Sequence, residues 1–280
     1  MNFTVSARYH HPMEIVKLFE KYDALSELKH VFGFLFESPL NGGRPRGLCK
    51  TYSMDVIDEL NARGIGYSFT LSNTTVAEEH LEDAHTNRIL ERFEHPLNGV
   101  IVAHDRVAEY IRASYPNYLL RASCIYDFVE ADDINRACES FDEVAVFPEV
   151  NEKFETLRAI DKPEKVVLFG TSVCLNLCGK KRAKHYYILG QDHIAYYNHI
   201  NYGISYKERD YYNPKMEWCL AEKSKPKFHD IERLAAMGFT TFKITQPDLF
   251  ESVYFKHEDV GGNVKWHAHR LNPLRTGRVR

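Results

Sequence analysis

Cys174 and Cys178 stand four positions apart in the run Cys-Leu-Asn-Leu-Cys, a spacing at which two thiolates can ligate one metal ion or cluster. Cys219 lies at the far end of the segment that follows, and Cys49 lies in an earlier loop, 39–50, rich in Gly, Pro and Arg. Thiolates are soft ligands that favour zinc or iron–sulfur centres, and a four-thiolate site suits either. Cys49, Cys174, Cys178 and Cys219 are therefore the candidate metal and cofactor ligands. The competing explanation is a set of unrelated buried or surface thiols. Cys138, on the face of a predicted helix, reads as plain core.

Beside the pair run Lys180, Lys181, Arg182, Lys184 and His185. Such a basic cluster can hold an anionic small molecule, a phosphate or an RNA backbone, or it can simply be solvated. Tyr186, Tyr187, Tyr196 and Tyr197 interleave with it, and can stack on bases or pack their segment onto the rest of the chain. Polar residues that follow apolar runs supply further candidates: Arg8, Glu37, Ser72, Asn73, His104, Asp105, Ser123, Cys124, Thr171, Lys243 and Gln246. Many of these can instead cap the next helix, as Asn73 and Asp105 can. Glu149 differs, because it follows an apolar run and a proline, where a carboxylate can act as acid or base or bind a cationic group.

Glu149, Arg8 and Lys243 are the candidate catalytic residues; Asn73, His104, Ser123, Lys180, Lys181, Arg182 and His185 are the candidate substrate contacts. The chain has no His-Glu-x-x-His, no phosphate-binding glycine loop and no ordered Ser-His-Asp set. Cys-His hydrolysis would need a pairing such as Cys124 with His104.

These positions are far apart in sequence, so a frame must bring them together. Short apolar, β-branched or aromatic runs alternate with segments of helical period, the pattern of parallel βαβ units. Strands are predicted from Phe3, Val31, Ile65, Gly99, Tyr118, Glu143 and Lys165, and in the run TTFKITQ, eight in all. Helices are predicted after Pro12, after Ser53, within 76–94, 105–115, 131–140 and 151–160, and in DIERLAAMG and DLFESVYF. Eight such units predict one α/β domain over 1–280, a (β/α)8 TIM-like barrel whose strand C-termini open into a shared crater.

Residues 179–228, crowded with Tyr, His, Lys and Asn, break the rhythm and predict a long inserted loop between strands seven and eight on the crater side. The basic tail 261–280 reads as a solvated terminus. A hydrophobic fraction of 44% with 27% charged residues excludes disorder and fibrous repeats, and a formal charge of -3 excludes a global positive field. No basic-then-apolar leader is present, and no apolar run approaches the roughly 18 residues of a membrane span. A cytoplasmic chain with no membrane partner is expected, in which the cysteines do not form structural disulfides.

GVIVAHDRVAEYIRASYPNYLLRAS from Gly99, EVAVFPEVNEKFETLR from Glu143 and VVLFGTSVCLNLCGKKRAKHY from Val166, in that order, resemble the middle section of the U32 "peptidase" family of collagenase-like protease barrels. SNTTVAEEHLEDAHTNRIL from Ser72 and GFTTFKI from Gly238 look like further landmarks, and the likeness covers about residues 65–250. The resemblance implies a barrel whose cysteines bind an iron–sulfur (4Fe-4S) cluster, linked in some members to oxygen-independent hydroxylation of RNA bases or of a quinone precursor. Proteolysis is the older label. Carried over by position, Cys174, Cys178 and Cys219 look like cluster ligands, with Cys49 as the fourth. The sequence departs from the family pattern in having no second cysteine beside Cys219, and in reading Thr245-Gln246-Pro247 where the family has Glu-Gly-Arg.

The expected function is iron–sulfur-dependent hydroxylation or modification of RNA or a small aromatic substrate, served by an electron donor or partner subunit. Against it stand a peptidase-like hydrolase and a non-catalytic binding or assembly barrel whose cysteines hold zinc or no metal.

Overall fold

The strands carry two kinds of side chain in alternation, and the fold separates them. In the computed structural model, which describes residues 1–7, 10–44, 52–172, 182–207 and 227–258, eight parallel strands close into a ring. They are β1 (Asn2–Ser6), β2 (Leu28–Gly33), β3 (Gly66–Leu71), β4 (Gly99–Val102), β5 (Leu119–Ala122), β6 (Glu143–Ala145), β7 (Val166–Ser172) and β9 (Thr241–Ile244). β1 pairs with β2 and β9, β9 pairs with β7, and a β6–β7 pairing completes the ring. This is the (β/α)8 barrel that the alternation predicts. A short β8 (Lys227–Phe228) lies antiparallel against the end of β7.

The ladders are uneven. Four residue pairs join β3 to β4 and four join β4 to β5, but only two join β5 to β6 and two join β6 to β7, because β6 has three residues.

Around the ring lie α1 (Pro12–Lys21), α2 (Asp55–Asn61), α3 (Ala84–Arg92), α4 (Asp105–Ser114), α5 (Ala131–Ser140), α6 (Phe154–Arg158), α8 (Ile231–Ala235) and α9 (Pro247–Phe250), the last running on as a π turn, Glu251–Phe255. Local sequence sets their starts. Pro12 opens α1 behind a capping box of His11 and Glu14, and Asp83 caps α3 by accepting from the Thr86 amide. Phe3, Val5, Phe69, Leu120, Leu168 and Phe242 turn outward into one buried core with Ile15, Phe19, Ile57, Leu90, Ile111 and Ile134 of the helices. Each such fully buried side chain contributes about 2 kcal/mol.

The inward faces are unusually polar. Arg121 donates to Ser68 Oγ (2.8 Å) and to His30 Nδ1 (2.7 Å), and it forms an ion pair with Glu143 at 2.9 Å that lacks hydrogen-bond alignment. His30 Nε2 donates to the Leu97 carbonyl (2.9 Å), which leaves Nδ1 to accept from Arg121. Burial, then the Arg121 charge, hold the His30 pKa well below the usual histidine range, so this ring is neutral. The chain passes so close here that a Cβ on Gly66 would stand 1.8 Å from the Leu97 oxygen, and only glycine fits.

Residues 182–202, expected within an inserted loop, form a 21-residue helix, α7 (Arg182–Tyr202). It carries no apolar stripe because the loops it packs on bind its polar groups, so the helical period that marks the other helices is missing. Among the described residues no helix is long and apolar enough to cross a membrane.

Candidate functional site

The strand C-termini open on one side of the ring, and α7 lies across that opening. Arg182, in its first turn, pairs with Asp127 (2.9 Å) and Glu149 (3.0 Å) on the loops after β5 and β6, with its guanidinium 4.4 Å from the Phe147 ring centre. Tyr186 stacks on Phe147. Further along, the Gly190 carbonyl accepts from Asn73 (3.2 Å), and His193 bonds the Arg44 carbonyl (2.9 Å) and stacks on Phe34. Tyr197 donates to Asp83 on the loop after β3.

Asn73 is the clamp at the centre of this contact. It is fully buried, donates to both the Pro39 and Gly190 carbonyls, and accepts from the amide and hydroxyl of Thr75. The helix approaches so closely that a Cβ on Gly190 would stand 2.3 Å from Asn73 Oδ1.

Beneath α7 lies a pocket lined by basic side chains. Lys243 on β9 points inward with its amine 4.8 Å from the centre of the Phe32 ring and 5.4 Å from that of Phe169. Burial lowers the Lys243 pKa; the neighbouring Cys124 thiol opposes that shift, and Arg44 and Arg121 add to it. Arg44 donates to Ser6 Oγ (2.9 Å), and its guanidinium lies 5.0 Å from the centre of the Phe32 ring. Cys124 packs with Ala145, Phe147, Val167, Phe169 and Tyr186. Burial pushes its thiol pKa up, the reverse of what a cysteine nucleophile needs.

Comparison with known proteins bears on this architecture at the level of the fold. No family model matches the chain, and no curated protein does. Among solved structures, that of the U32 peptidase Mk0906 matches with a TM-score of 0.55 at 14% identity, covering 88% of this chain and 92% of that one. The fold is U32-like. Dispersin B matches with a TM-score of only 0.26 at 12% identity over 66% of this chain and 68% of that one, too little to carry an argument.

The U32-like barrel brings Glu149 and Arg182 into one ion-paired group and sets Lys243 at the floor of the mouth. It gives other predicted residues structural tasks. His104 caps α4 through Nδ1 (3.2 Å to the Arg106 amide), and Ser123 accepts from the Ile125 amide (3.3 Å). Burial lowers the His185 pKa to about 4, so this ring adds no charge to the basic run at neutral pH. Arg8, Cys49, Cys174, Cys178, Lys180, Lys181 and Cys219 lie outside the described residues.

Four residues of the mouth and interior were not singled out from the sequence: Arg44, Arg121, Asp127 and Glu143. Arg121 was signalled, since a charge inside the apolar strand Leu-Leu-Arg-Ala must face the ring interior. Arg44 and Asp127 sit in loops and carry no such mark.

The U32-like barrel also contains a Ser-His contact, Ser172 Oγ to His229 Nε2 at 3.0 Å. Both residues are buried, and among the described residues His229 Nδ1 has no hydrogen-bond partner and no carboxylate orients it as a hydrolytic base would need.

Proposed function

We propose that the chain is a U32-like redox enzyme in which Cys49, Cys174, Cys178 and Cys219 hold a 4Fe-4S cluster beside the barrel mouth, and in which an anionic substrate, RNA or a small aromatic molecule, is hydroxylated or otherwise modified without oxygen. The observation that carries it is the convergence of the described residues that flank Cys49, Cys174 and Cys178 in the chain. Ser172, two positions before Cys174, ends β7; Arg182, four positions after Cys178, opens α7; and Arg44, five positions before Cys49, lies in the mouth. Chain connectivity limits how far the cysteines can stray, at about 3.5 Å per residue.

A set of four thiolates suits such a cluster, and it also suits zinc. Among the described residues no group of three or more His, Cys, Asp or Glu side chains is arranged to hold a metal ion. A bound cluster would supply electron transfer to or from the substrate. The chain's own residues do the rest. Arg44 draws an anionic group into the mouth, and α7 covers that mouth and excludes water. Glu149, whose Oε1 Arg182 holds at 3.0 Å, is the carboxylate that can take a proton at Oε2.

Iron and acid-labile sulfide, with a visible spectrum, are measured on protein purified without oxygen, next to Cys174→Ala/Cys178→Ala. Iron and sulfide in the wild type, lost in the variant, are the expected result. A colourless, iron-free protein after anaerobic reconstitution would overturn the proposal in favour of a zinc-held or metal-free binding barrel.

A further inference from the structure

The geometry points to Lys243 as an amine nucleophile that condenses with a small carbonyl compound bearing a negative charge, forming an imine at the floor of the barrel mouth. This goes beyond the redox reading and does not depend on the cysteines. Lys243 is 9% exposed, and among the described residues its amine has neither a hydrogen-bond acceptor nor a carboxylate partner. It faces the rings of Phe32 and Phe169 and a cavity of about 20 Å³ shared with Thr4, Ile101, Arg121 and Glu143. That volume admits one water-sized group, so only the carbonyl oxygen of the compound enters it, the rest of the molecule stays on the Arg44 side, and a ring is rejected.

A lysine kept for structure ends on an acceptor, because an ammonium buried without one is strongly disfavoured. A neutral amine avoids that penalty. Burial, with Arg44 and Arg121 nearby, holds Lys243 below the usual lysine range, although the Cys124 thiol opposes them. A desolvated lysine beside other cations is nucleophilic at neutral pH. The Arg44 guanidinium, which also lies near the Phe32 ring, favours a carbonyl compound that carries a carboxylate.

In the reaction the Lys243 nitrogen adds to the carbonyl carbon, and the carbonyl electron pair moves to oxygen, which is protonated. The carbinolamine then loses water. Amine, carbonyl and one proton become a protonated imine and one water, with no change of oxidation state. Glu143 lines the same cavity and can relay the proton.

The test incubates the full chain at neutral pH with glyoxylate and sodium cyanoborohydride, which reduces any imine to N-carboxymethyl-lysine, and maps the products by peptide mass spectrometry. Lys243 is expected to label faster than the exposed Lys184 and Lys207, since a lowered pKa leaves more of its amine neutral. Neutral glycolaldehyde is expected to label it more slowly than glyoxylate. Lys243→Met, checked for folding by circular dichroism, should lose that label and no other. Cys174→Ala/Cys178→Ala should keep it, which separates this inference from the redox proposal. Label confined to exposed lysines with Lys243 unmodified, or equal rates for the two aldehydes, would overturn it.

Discussion

Arg121→Met asks whether pairing is what holds charge inside this barrel. Methionine is long enough to fill most of the space, so the loss of packing is small. What remains is electrostatic. The Arg121 side chain, 5% exposed, leaves behind Glu143, whose side chain is 20% exposed, and its loss deprives Ser68 Oγ and His30 Nδ1 of their donor. Removing one member of a buried pair costs about 3–5 kcal/mol, and each neutral acceptor left bare adds about 1 kcal/mol. The partial exposure of Glu143 lowers the first figure, so the expected total is about 4 kcal/mol. That is a large share of the roughly 5–15 kcal/mol that holds a domain folded. Urea unfolding at neutral pH should show a lower midpoint at unchanged slope, and Arg121→Met/Glu143→Gln should recover about half of the loss. A deficit under about 1 kcal/mol, or a double variant no more stable than the single one, would refute the reasoning.

Three further outcomes follow from the same physics. His185 and His229, both with pKa lowered to about 4 chiefly by burial, and His30, lowered for the same reason, stay neutral in the fold while the unfolded chain takes up protons near pH 6.5. Stability is therefore complete above about pH 6.5 and is lost as pH falls toward 4, by up to about 3 kcal/mol for each of the first two. Urea midpoints that stay level from pH 7 to 5 would contradict this, and His229→Asn should shallow the slope. Gly190→Val drives a side chain into Asn73 and should undock α7; hydrogen exchange should then show Arg182–Tyr202 losing protection while β3 and β4 keep theirs. Loss of protection throughout the ring would mean that the helix is part of the core.

The ring was legible in the sequence because each strand is an apolar run with a helix behind it, and Lys165-Val-Val-Leu-Phe-Gly-Thr or Gly99-Val-Ile-Val can be little else. Glu149 was legible for the same reason, as a carboxylate that follows such a run. α7 was not, because a helix held by Asn73, Asp83 and the Arg44 carbonyl needs no apolar period, and its Tyr and His residues look like loop composition. The interior network was half visible: Arg121 stands out in its strand, but nothing in the sequence pairs it with His30, some ninety positions earlier. That pairing comes only from closing the ring, which sets β2 and β5 on facing walls.

The short β6 gives the ring one thin wall, held by two residue pairs on each side. Asp127 follows the strand on one side of that wall and Glu149 follows the wall itself, and Arg182 grips both. A side chain from α7 thus fastens the hoop where its own backbone bonds are fewest. The cover and the ring are mechanically one part: lifting the start of α7 frees the two carboxylates and slackens the weakest stave, so access to the mouth and compliance of the wall change together.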